Sequence, residues 1–398
     1  TRFATSWNIE GHGMPALCIL GVSGDVLLSV EMTDDSPESQ VSLRPWLLAK
    51  LREQLALTEF QMRLMLGGEE LSEDSWQELG RPSELLLVRL PLCNHYAKAM
   101  EEAVRLQEVK QLREVLCRGQ DPNAWLPGGP PILQAVQLRN QEILQLLLTA
   151  SADANVDFGY AIPLHEAARL NSCQMATALL GAKASVNRCN LRGATALHVA
   201  ANRGHVKMIQ ILLNAGAEKD AQDKQGFTGL HCAAVRGLLP AARMLIEGRA
   251  ELDVWDERGF TAFHLAAGRG HVAVLRLLLE AGSNKDKSNH HGITGLLAAS
   301  RTGFVPSVQL LLDASVKVEV LNREGQSPLH VAAKGGHTEI VRLLIHANGD
   351  VERKDNAGLT PTNHAELHGH TQVVCLLRDL RGWPKRQRSE GEVDQMDG

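Results

Sequence analysis

Five histidines recur along the chain at whole multiples of one interval, the interval that separates His165 from His198. As metal ligands, several imidazoles would have to lie near 2.1 Å from one ion. Residues one repeat apart in a packed array lie roughly 10 Å from one another, so neighbouring histidines cannot share a metal ion. A helix N-terminus also disfavours a protonated imidazole. We therefore expect neutral histidines that hydrogen-bond the backbone where loops meet helices, with no metal and no cofactor. They are His165, His198, His231, His264 and His330.

Two further segments resemble a metal site and a phosphate-binding loop, but each lacks part of the required motif. His364 and His368 are spaced for one face of a helix with Glu366 between them, but the order differs from that of zinc-binding HExxH helices. The Gly21–Gly24 segment lacks the lysine and the following helix of a phosphate-binding loop. No nucleophile, base and acid can be combined from sequence. We therefore predict that the protein is not an enzyme.

Composition narrows the class of protein. Hydrophobic residues make up 44% of 398, aromatic residues 4%, and the net charge is −5. Nucleic-acid binding thus remains a weaker alternative, since an evenly basic surface is absent. The seven cysteines form no CxxC pair, which favours reduced thiols inside the cell. No apolar run reaches the roughly 18 residues of a membrane span.

A seven-residue motif repeats at this same interval through residues 94–380. In each copy a hydroxyl residue caps a short helix, and this helix contains a Leu and an Ala-Ala pair. A Gly-His turn follows, and then a second helix whose apolar residues recur at helical spacing. One such repeat buries too little apolar surface to fold alone, so neighbours must stack. The copies are Ile162–Ala168, Thr195–Ala201, Thr228–Ala234, Thr261–Ala267, Thr294–Ser300, Ser327–Ala333 and Thr360–Glu366, with a weaker copy at Pro130–Val136 and a first repeat starting near Ala97.

These copies resemble the ankyrin-repeat family. The resemblance implies an α solenoid of about nine helix-turn-helix repeats with hairpin loops over 94–380, followed by a disordered tail at 381–398. It also implies a non-enzymatic scaffold or adaptor that binds a protein on the concave face, through inner helices and hairpin tips. A regulatory fragment of a larger enzyme or channel remains an alternative.

The second helix of each repeat ends where a left-handed residue is expected. Several repeats place Gly or Asn there, namely Gly119, Gly216, Gly282 and Asn348. Left-handed backbone costs an ordinary L-residue roughly 1–2 kcal/mol. Repeats with another residue at this point should therefore be less stable, and these residues are Lys183, Arg249 and Ser315.

The first 93 residues read differently, with seven basic and fourteen acidic residues. Strands are predicted at Ala16–Leu20, Val26–Val30, Phe60–Leu66 and Leu85–Leu90, and a helix at Trp46–Leu57. The order resembles a small α+β ubiquitin-like (β-grasp) domain over 14–92, after a flexible segment at 1–13. The family's contact patch corresponds to Met65 and Leu87. Pro91 follows Leu90, so the free Gly-Gly end of the family is missing, and a second docking surface for ubiquitin-system components is implied.

Basic residues mark the expected binding face. Just after the Ala-Ala pair stand Arg169, Arg203, Arg236, Arg269, Arg301 and Lys334. The hairpin tips add Arg192, Lys224, Arg258, His290, His291 and Arg323, with Trp255 as the aromatic at its hairpin position. We expect a partner with an acidic surface and no membrane. The alternatives are that these cations are simply solvated and that Trp255 lies flat on a neighbouring loop. We expect a cytoplasmic protein; the basic Lys385–Arg388 segment would allow nuclear entry.

Overall fold

The computed structural model describes strand residues within 2–89, and residues 96–158 and 161–381. The chain divides into two compact bodies, one formed by 1–167 with 177–184, the other by 168–176 with 185–398. The division falls inside one helix pair. The predicted helix at Trp46–Leu57, the basic segment at Lys385–Arg388 and most of the predicted tail lie outside the described residues.

Six strands in the described part of the N-terminal region form one antiparallel sheet. Its order is β3-β2-β1-β6-β4-β5, so β1 lies between β2 and β6. Four strands fall where the sequence predicts them, whereas β1 lies in the segment 1–13, for which the sequence predicts no element. That this sheet belongs to a ubiquitin-like domain stays a prediction. The strands are β1 (Arg2–Ser6), β2 (Ala16–Leu20), β3 (Val26–Glu31), β4 (Met62–Leu66), β5 (Glu69–Glu70) and β6 (Glu84–Arg89).

Nine helix pairs fill residues 96–158 and 161–381, as the nine predicted repeats require. We number these repeats one to nine and call the first helix of each pair inner and the second outer. Repeats one to three contain α1 (Ala97–Arg105), α2 (Val109–Cys117), α3 (Pro131–Gln137), α4 (Gln141–Thr149), α5 (Pro163–Leu170) and α6 (Cys173–Gly181). Repeats four to six contain α7 (Ala196–Arg203), α8 (Val206–Asn214), α9 (Gly229–Arg236), α10 (Leu239–Glu247), α11 (Ala262–Arg269) and α12 (Val272–Glu280). Repeats seven to nine contain α13 (Gly295–Thr302), α14 (Val305–Asp313), α15 (Pro328–Lys334), α16 (Thr338–His346), α17 (Pro361–Leu367) and α18 (Thr371–Arg381).

The repeats stack because small residues let the inner helices approach closely. From α7 to α17 each inner helix packs on the next, and from α8 to α18 each outer helix does the same. The Ala-Ala pairs lie in this inner-helix contact; Ala200, Ala201, Ala233 and Ala234 are fully buried. Apolar side chains such as Ile209 fill the space between inner and outer helices. The fold class is thus a helical repeat solenoid.

From the loop before α7 onward, one carboxylate or amide side chain organises each hairpin loop. Oδ1 of Asp256 accepts hydrogen bonds from the backbone N–H groups of Arg258 at 2.9 Å and Phe260 at 2.7 Å. Three residues after Asp256, Gly259 has φ of 75°, a conformation that favours glycine. Equivalent turns begin at Asn190, Asp223, Asn289, Asn322 and Asp355.

Hydrogen bonds across the loops tie each repeat to the next. The carboxylate of Asp220 accepts from the backbone N–H of Glu251 at 2.7 Å, and that of Asp286 accepts from Lys317 at 2.8 Å. Asn187 makes the same bond to the N–H of Glu218. These bonds satisfy backbone donors that would otherwise face solvent or remain unpaired.

The predicted left-handed positions after the outer helices are confirmed. Lys183, Arg249 and Ser315 have φ of 63°, 62° and 53°, where Gly216 and Gly282 have 83° and 89°. The backbone thus adopts one conformation at this point whichever residue occupies it. The strain that these three residues carry is a consequence of the repeat geometry.

Candidate functional site

The recurrent histidines bridge neighbouring repeats. Nδ1 of His198 accepts from the backbone N–H of Thr195 at 3.1 Å and from its hydroxyl at 2.9 Å. Nε2 of His198 faces the carbonyl oxygen of Phe227, in the loop before the next inner helix, at 2.8 Å. His231 and His330 repeat this arrangement, and His264 directs Nε2 to the carbonyl of Lys287 at 2.8 Å. The predicted backbone-bonding role is therefore confirmed for these four.

Burial keeps these imidazoles neutral. It lowers the pKa of His198, His231 and His330 and brings the pKa of His264 to about 4. The desolvation penalty on the charged ring outweighs the carbonyl contacts, which favour it. A neutral ring with its proton on Nε2 satisfies every contact: Nε2–H donates to the carbonyl and Nδ1 accepts.

Among repeats three to nine, two replace this histidine. In repeat nine, Oδ1 of Asn363 accepts from the N–H of Thr360 at 3.0 Å, which reproduces the capping half of the arrangement. In repeat seven the residue is Leu297, which is buried and offers no polar atom to the following loop. The junction between repeats seven and eight therefore lacks the imidazole bridge.

The C-terminal histidines are held by protein groups. Nε2 of His364 lies 2.8 Å from Oδ2 of the buried Asp355. Nδ1 of His368 bonds the carbonyl of His364, and Nε2 of His370 bonds the carbonyl of Lys334. These three histidines therefore stabilise repeat nine and its loop. Within the residues that the structure describes, no group of three or more His, Cys, Asp or Glu side chains could hold a metal ion.

The inner-helix cations form two rows instead of the single row that the sequence predicts. Counted from the end of the seven-residue motif, the second following position holds Arg203, Arg236 and Arg269. The first following position holds Arg169, Arg301 and Lys334. Both positions lie in the last turn of the inner helix, so the sequence alone does not separate them.

All six cations are exposed at the C-terminal ends of inner helices. Basic residues in the last turn of α7, α9 and α11 are favoured by the partial negative charge of the terminal carbonyls. Nε of Arg236 donates to Oδ1 of Asn202 in the previous repeat at 3.1 Å. Among the described residues, no carboxylate lies within ion-pair distance of Arg203, Arg236 or Arg269, so their charge remains available to a partner.

The hairpin tips form a second line of exposed residues. Backbone N–H groups link each tip to the previous one, from Lys224 to the carbonyl of Arg192 at 2.9 Å and from Arg323 to that of His291 at 2.9 Å. The tip surface is of mixed charge, since the acidic Glu257 and Glu324 lie among its basic residues. The exposed tip residues that the sequence predicted are Arg192, Lys224, Arg258, His290, His291 and Arg323.

Trp255 contacts the neighbouring loop with its ring edge-on to that of His290, so it does not lie flat on this ring. Its ring contacts His290 of the neighbouring loop, with centroids 5.1 Å apart, and Nζ of Lys287 lies 4.6 Å from the ring centroid. Gln222 donates to its carbonyl at 2.7 Å. Nevertheless 43% of Trp255 remains exposed. The ring is therefore a partly exposed aromatic surface beside the tips, and its role in binding stays a prediction.

A cavity of about 500 Å³ lies between the tips and the inner helices of repeats seven and eight. Ile293, Leu297 and Val331 line its apolar part. Its polar part is lined by Asn322, Glu324, Gln326 and the predicted binding residues His291, Arg301, Arg323 and Lys334. The structure thus brings four predicted binding residues together around one opening.

Several exposed apolar residues were not predicted from sequence. Leu191 and Leu321 lie on or beside hairpin tips and are 62% and 37% exposed. Trp125 is 67% exposed and contacts Phe158, with ring centroids 5.4 Å apart. A large apolar residue at a loop position that is polar in other repeats is the signal that would identify them. Met65 and Leu87, by contrast, lie on the neighbouring strands β4 and β6.

The described cysteines Cys117, Cys173, Cys189, Cys232 and Cys375 are free thiols. Burial raises the pKa of Cys232 to about 12, which makes that thiol a poor nucleophile. Among the described helices, none has the length and apolar character needed to cross a membrane.

Comparison with known families identifies the repeats. A family model described as "Ankyrin repeats (3 copies)" matches residues 164–256, 197–289, 249–322 and 295–382. Together these matches extend over more than half of the chain. No match to a curated protein was found.

Proposed function

Because the chain belongs to the ankyrin-repeat family, whose repeats generally mediate protein–protein interaction, we propose that it is a non-enzymatic scaffold for a protein partner. The partner would lie along the inner helices and the hairpin tips. The observation that supports this most directly is the row Arg203, Arg236 and Arg269. These cations are exposed, evenly spaced by the repeat and free of any described carboxylate partner.

An acidic partner follows from the charge of this face. Unpaired guanidinium groups bind carboxylates through two parallel hydrogen bonds, which provides geometry as well as charge. A row of cations also steers an acidic protein toward the face and raises its association rate at low salt. Trp255 adds a partly exposed aromatic surface next to the tips, of the type enriched among the energetically important residues of interfaces.

We further propose that the N-terminal block is a ubiquitin-like module and provides a second docking surface. Met65 and Leu87 would contribute to that surface, and components of the ubiquitin system would be its partners. The free thiols in the described repeats support a protein that works in the reducing interior of the cell.

A charge reversal tests the proposed binding face. The triple variant Arg203→Glu, Arg236→Glu and Arg269→Glu should lose the partner proteins that the wild-type chain captures. The chain offers a matched control, since the outer helices α10, α12 and α16 carry the exposed residues Arg243, Arg276 and Arg342. Changing these three to Glu alters the net charge equally on the other side of the repeats.

Captured proteins are compared by quantitative mass spectrometry, and folding by circular dichroism and thermal unfolding. Each Arg→Glu change at an inner-helix end should cost about 1 kcal/mol or less, because it reverses a favourable interaction with the helix dipole. Capture lost in the inner variant and kept in the outer variant supports the proposal. Equal capture by both variants and the wild type would remove the inner-helix row from the mechanism.

A further inference from the structure

Repeat seven differs from its neighbours at the position that joins it to the next repeat. In repeats four, five and eight, a histidine at this position places Nε2 on a carbonyl 29 residues later, as His198 does with Phe227. The same step from Leu297 leads to Gln326. Leu297 cannot form the bond, and both residues line the cavity of about 500 Å³. The cavity therefore lies where the imidazole bridge is missing.

The replacement gives the cavity an apolar floor. Leu297 is 2% exposed and Val331 is 7% exposed, so both present only a small apolar surface to the opening. Ile293 completes this floor from the loop before α13. In the repeats with histidine, the equivalent position places a polar ring there instead. An apolar side chain that enters this cavity would be transferred from water to an apolar surface, which is favourable.

Cations surround the opening above this floor. Arg301 and Lys334 come from the ends of α13 and α15, and Arg323 comes from the hairpin tip between them. Within the described part of the chain none of the three forms an ion pair. Glu324 is the single carboxylate among the described residues of the rim, so the charged groups of the rim sum to a net positive charge.

We infer that this cavity is the anchor site for an acidic peptide segment of the partner, with one apolar side chain inserted between flanking carboxylates. The inference rests on the proposed protein-binding function and specifies where on the array, and by which residues, the partner is held. The apolar side chain would contact Leu297, Ile293 and Val331. The flanking carboxylates would pair with Arg301, Arg323 and Lys334.

The size and charge of the cavity favour this occupant. Its volume falls within the usual range of ligand pockets and is enough for one large side chain and its neighbours. A bare anion would leave the apolar floor uncovered. An apolar segment without carboxylates would leave the three cations unpaired at the rim of a partly dry interface.

Defined peptides test the inference on the full chain. The probe is acetyl-Glu-Glu-Leu-Glu-Glu-amide, with acetyl-Glu-Glu-Ala-Glu-Glu-amide and acetyl-Gln-Gln-Leu-Gln-Gln-amide as controls. Binding is followed by methyl NMR of Ile293, Leu297 and Val331. We expect shifts at these methyl groups with the probe, and about tenfold weaker binding of the Ala peptide, since burying a Leu side chain is worth about that factor. The uncharged peptide should bind more weakly and lose the salt dependence of the probe.

Variants of the protein separate the site from general charge. Leu297→His restores the residue that five other repeats carry, so folding is retained. It should weaken binding of the probe about twofold or more, because a polar ring replaces part of the apolar floor. Leu297→Met keeps an apolar floor and should bind as the wild type does. Lys334→Gln should weaken binding about twofold to fivefold, the range for a partly exposed ion pair. Arg276→Gln, an exposed change on the outer helix α12 and outside the cavity, should have no effect.

The inference is overturned if the probe shifts methyl groups elsewhere and not at these three, or if Leu297→His binds it as well as the wild type. It is also overturned if the Ala peptide or the uncharged peptide matches the probe, because either floor or rim would then have no role. Partner capture that survives Leu297→His while the inner charge reversal abolishes it would reject this anchor and leave the scaffold function intact.

Discussion

At the residue scale, the recurrent contacts of the capping histidines use both ring nitrogens. Thr228 and His231 illustrate this: the hydroxyl accepts from the N–H of His231 at 3.4 Å and contacts Nδ1 at 2.8 Å. Nε2 reaches the carbonyl of Phe260 at 3.2 Å. Since one nitrogen must accept, protonation of the ring breaks the cap. The histidines therefore couple repeat stacking to pH.

His264 should make the stability of the protein depend on pH. Its folded pKa of about 4 lies below the ordinary value of 6.5, so the unfolded chain binds the proton first as the pH falls. Stability is therefore full above pH 6.5 and decreases below it. At pH 5 the loss from this one residue is about 2 kcal/mol. Urea unfolding followed by circular dichroism at pH 7 and pH 5 measures it.

The variant His264→Asn provides the control, because Asn363 already caps Thr360 in repeat nine. It removes the ionisable ring and keeps an acceptor for the N–H of Thr261. Its stability at pH 7 should be about 1–3 kcal/mol lower, since the carbonyl of Lys287 loses its donor. Its further loss at pH 5 should be about 2 kcal/mol smaller than that of the wild type. Identical losses in the two proteins would contradict the role given to His264.

The residue scale also shows what sequence reasoning can reach. The regular spacing and the desolvation cost of a charged ring together predict a neutral, backbone-bonded histidine. They do not identify the acceptor, which is the carbonyl of Phe227 for His198 but that of Lys287 for His264. The acceptor depends on the path of a loop in the following repeat, and that path is set by packing.

At the element scale, each of the six hairpin loops before α7 to α17 is held by one side chain that accepts from two backbone N–H groups. Asp256 is 6% exposed, and its carboxylate accepts from Arg258 and Phe260. Other repeats place Asn at this point, as with Asn289 and Asn322. An acceptor oxygen is therefore required, whereas a negative charge is not.

Asp256→Ala should lower the free energy of unfolding by about 2 kcal/mol, because two partly buried N–H groups lose their acceptor. Asp256→Asn should cost less than about 1 kcal/mol, since the amide oxygen takes the place of the carboxylate. Thermal and urea unfolding of both variants measure the difference. A cost for the Asn variant as large as that for the Ala variant would show that charge, and not acceptor geometry, sustains the loop.

The sequence predicts the bounds of the helices closely. It does not predict the cavity between repeats seven and eight. Caps, Pro at first helical positions and Gly in turns determine where helices begin and end, and all three are local signals. The sequence predicts one row of cations where the structure has two, because the shift of one position between Arg269 and Arg301 is not apparent from chain order. The cavity depends on Leu297 in one repeat and Gln326 in the next. Only the stacking of the two repeats brings them together.

At the scale of the whole molecule, the turns between inner and outer helices differ along the chain. Repeats four to nine have glycine in this turn, as with Gly204 and Gly237, at φ of 74° and 69°. The first three repeats place Gln107, Arg139 and Asn171 there, at φ of 61°, 57° and 56°. Each such residue carries strain that glycine avoids. The first repeats are therefore the less stable part of the array.

Hydrogen exchange should show this gradient. Amides of α1 to α6 should exchange faster than those of α7 to α16, because local opening requires less free energy where turns are strained. Arg139→Gly should relieve about 1–2 kcal/mol and slow exchange in α3 and α4 by about fivefold to thirtyfold. Exchange is followed by mass spectrometry of proteolytic fragments. Uniform protection of all nine repeats, unchanged by Arg139→Gly, would contradict the gradient.

The short reach of the bonds between repeats has a consequence for how the chain is made. The hydrogen bonds of the recurrent histidines and the loop carboxylates join groups that are 23 to 31 residues apart. His271, in the turn between helices, bonds the carbonyl of Val235, which is 36 residues earlier. Each repeat therefore needs only its neighbour to complete its contacts. During synthesis, a repeat emerging from the ribosome finds its preceding neighbour already exposed and can dock on it before the remainder is translated. The array is suited to fold in the order of its translation, one repeat at a time.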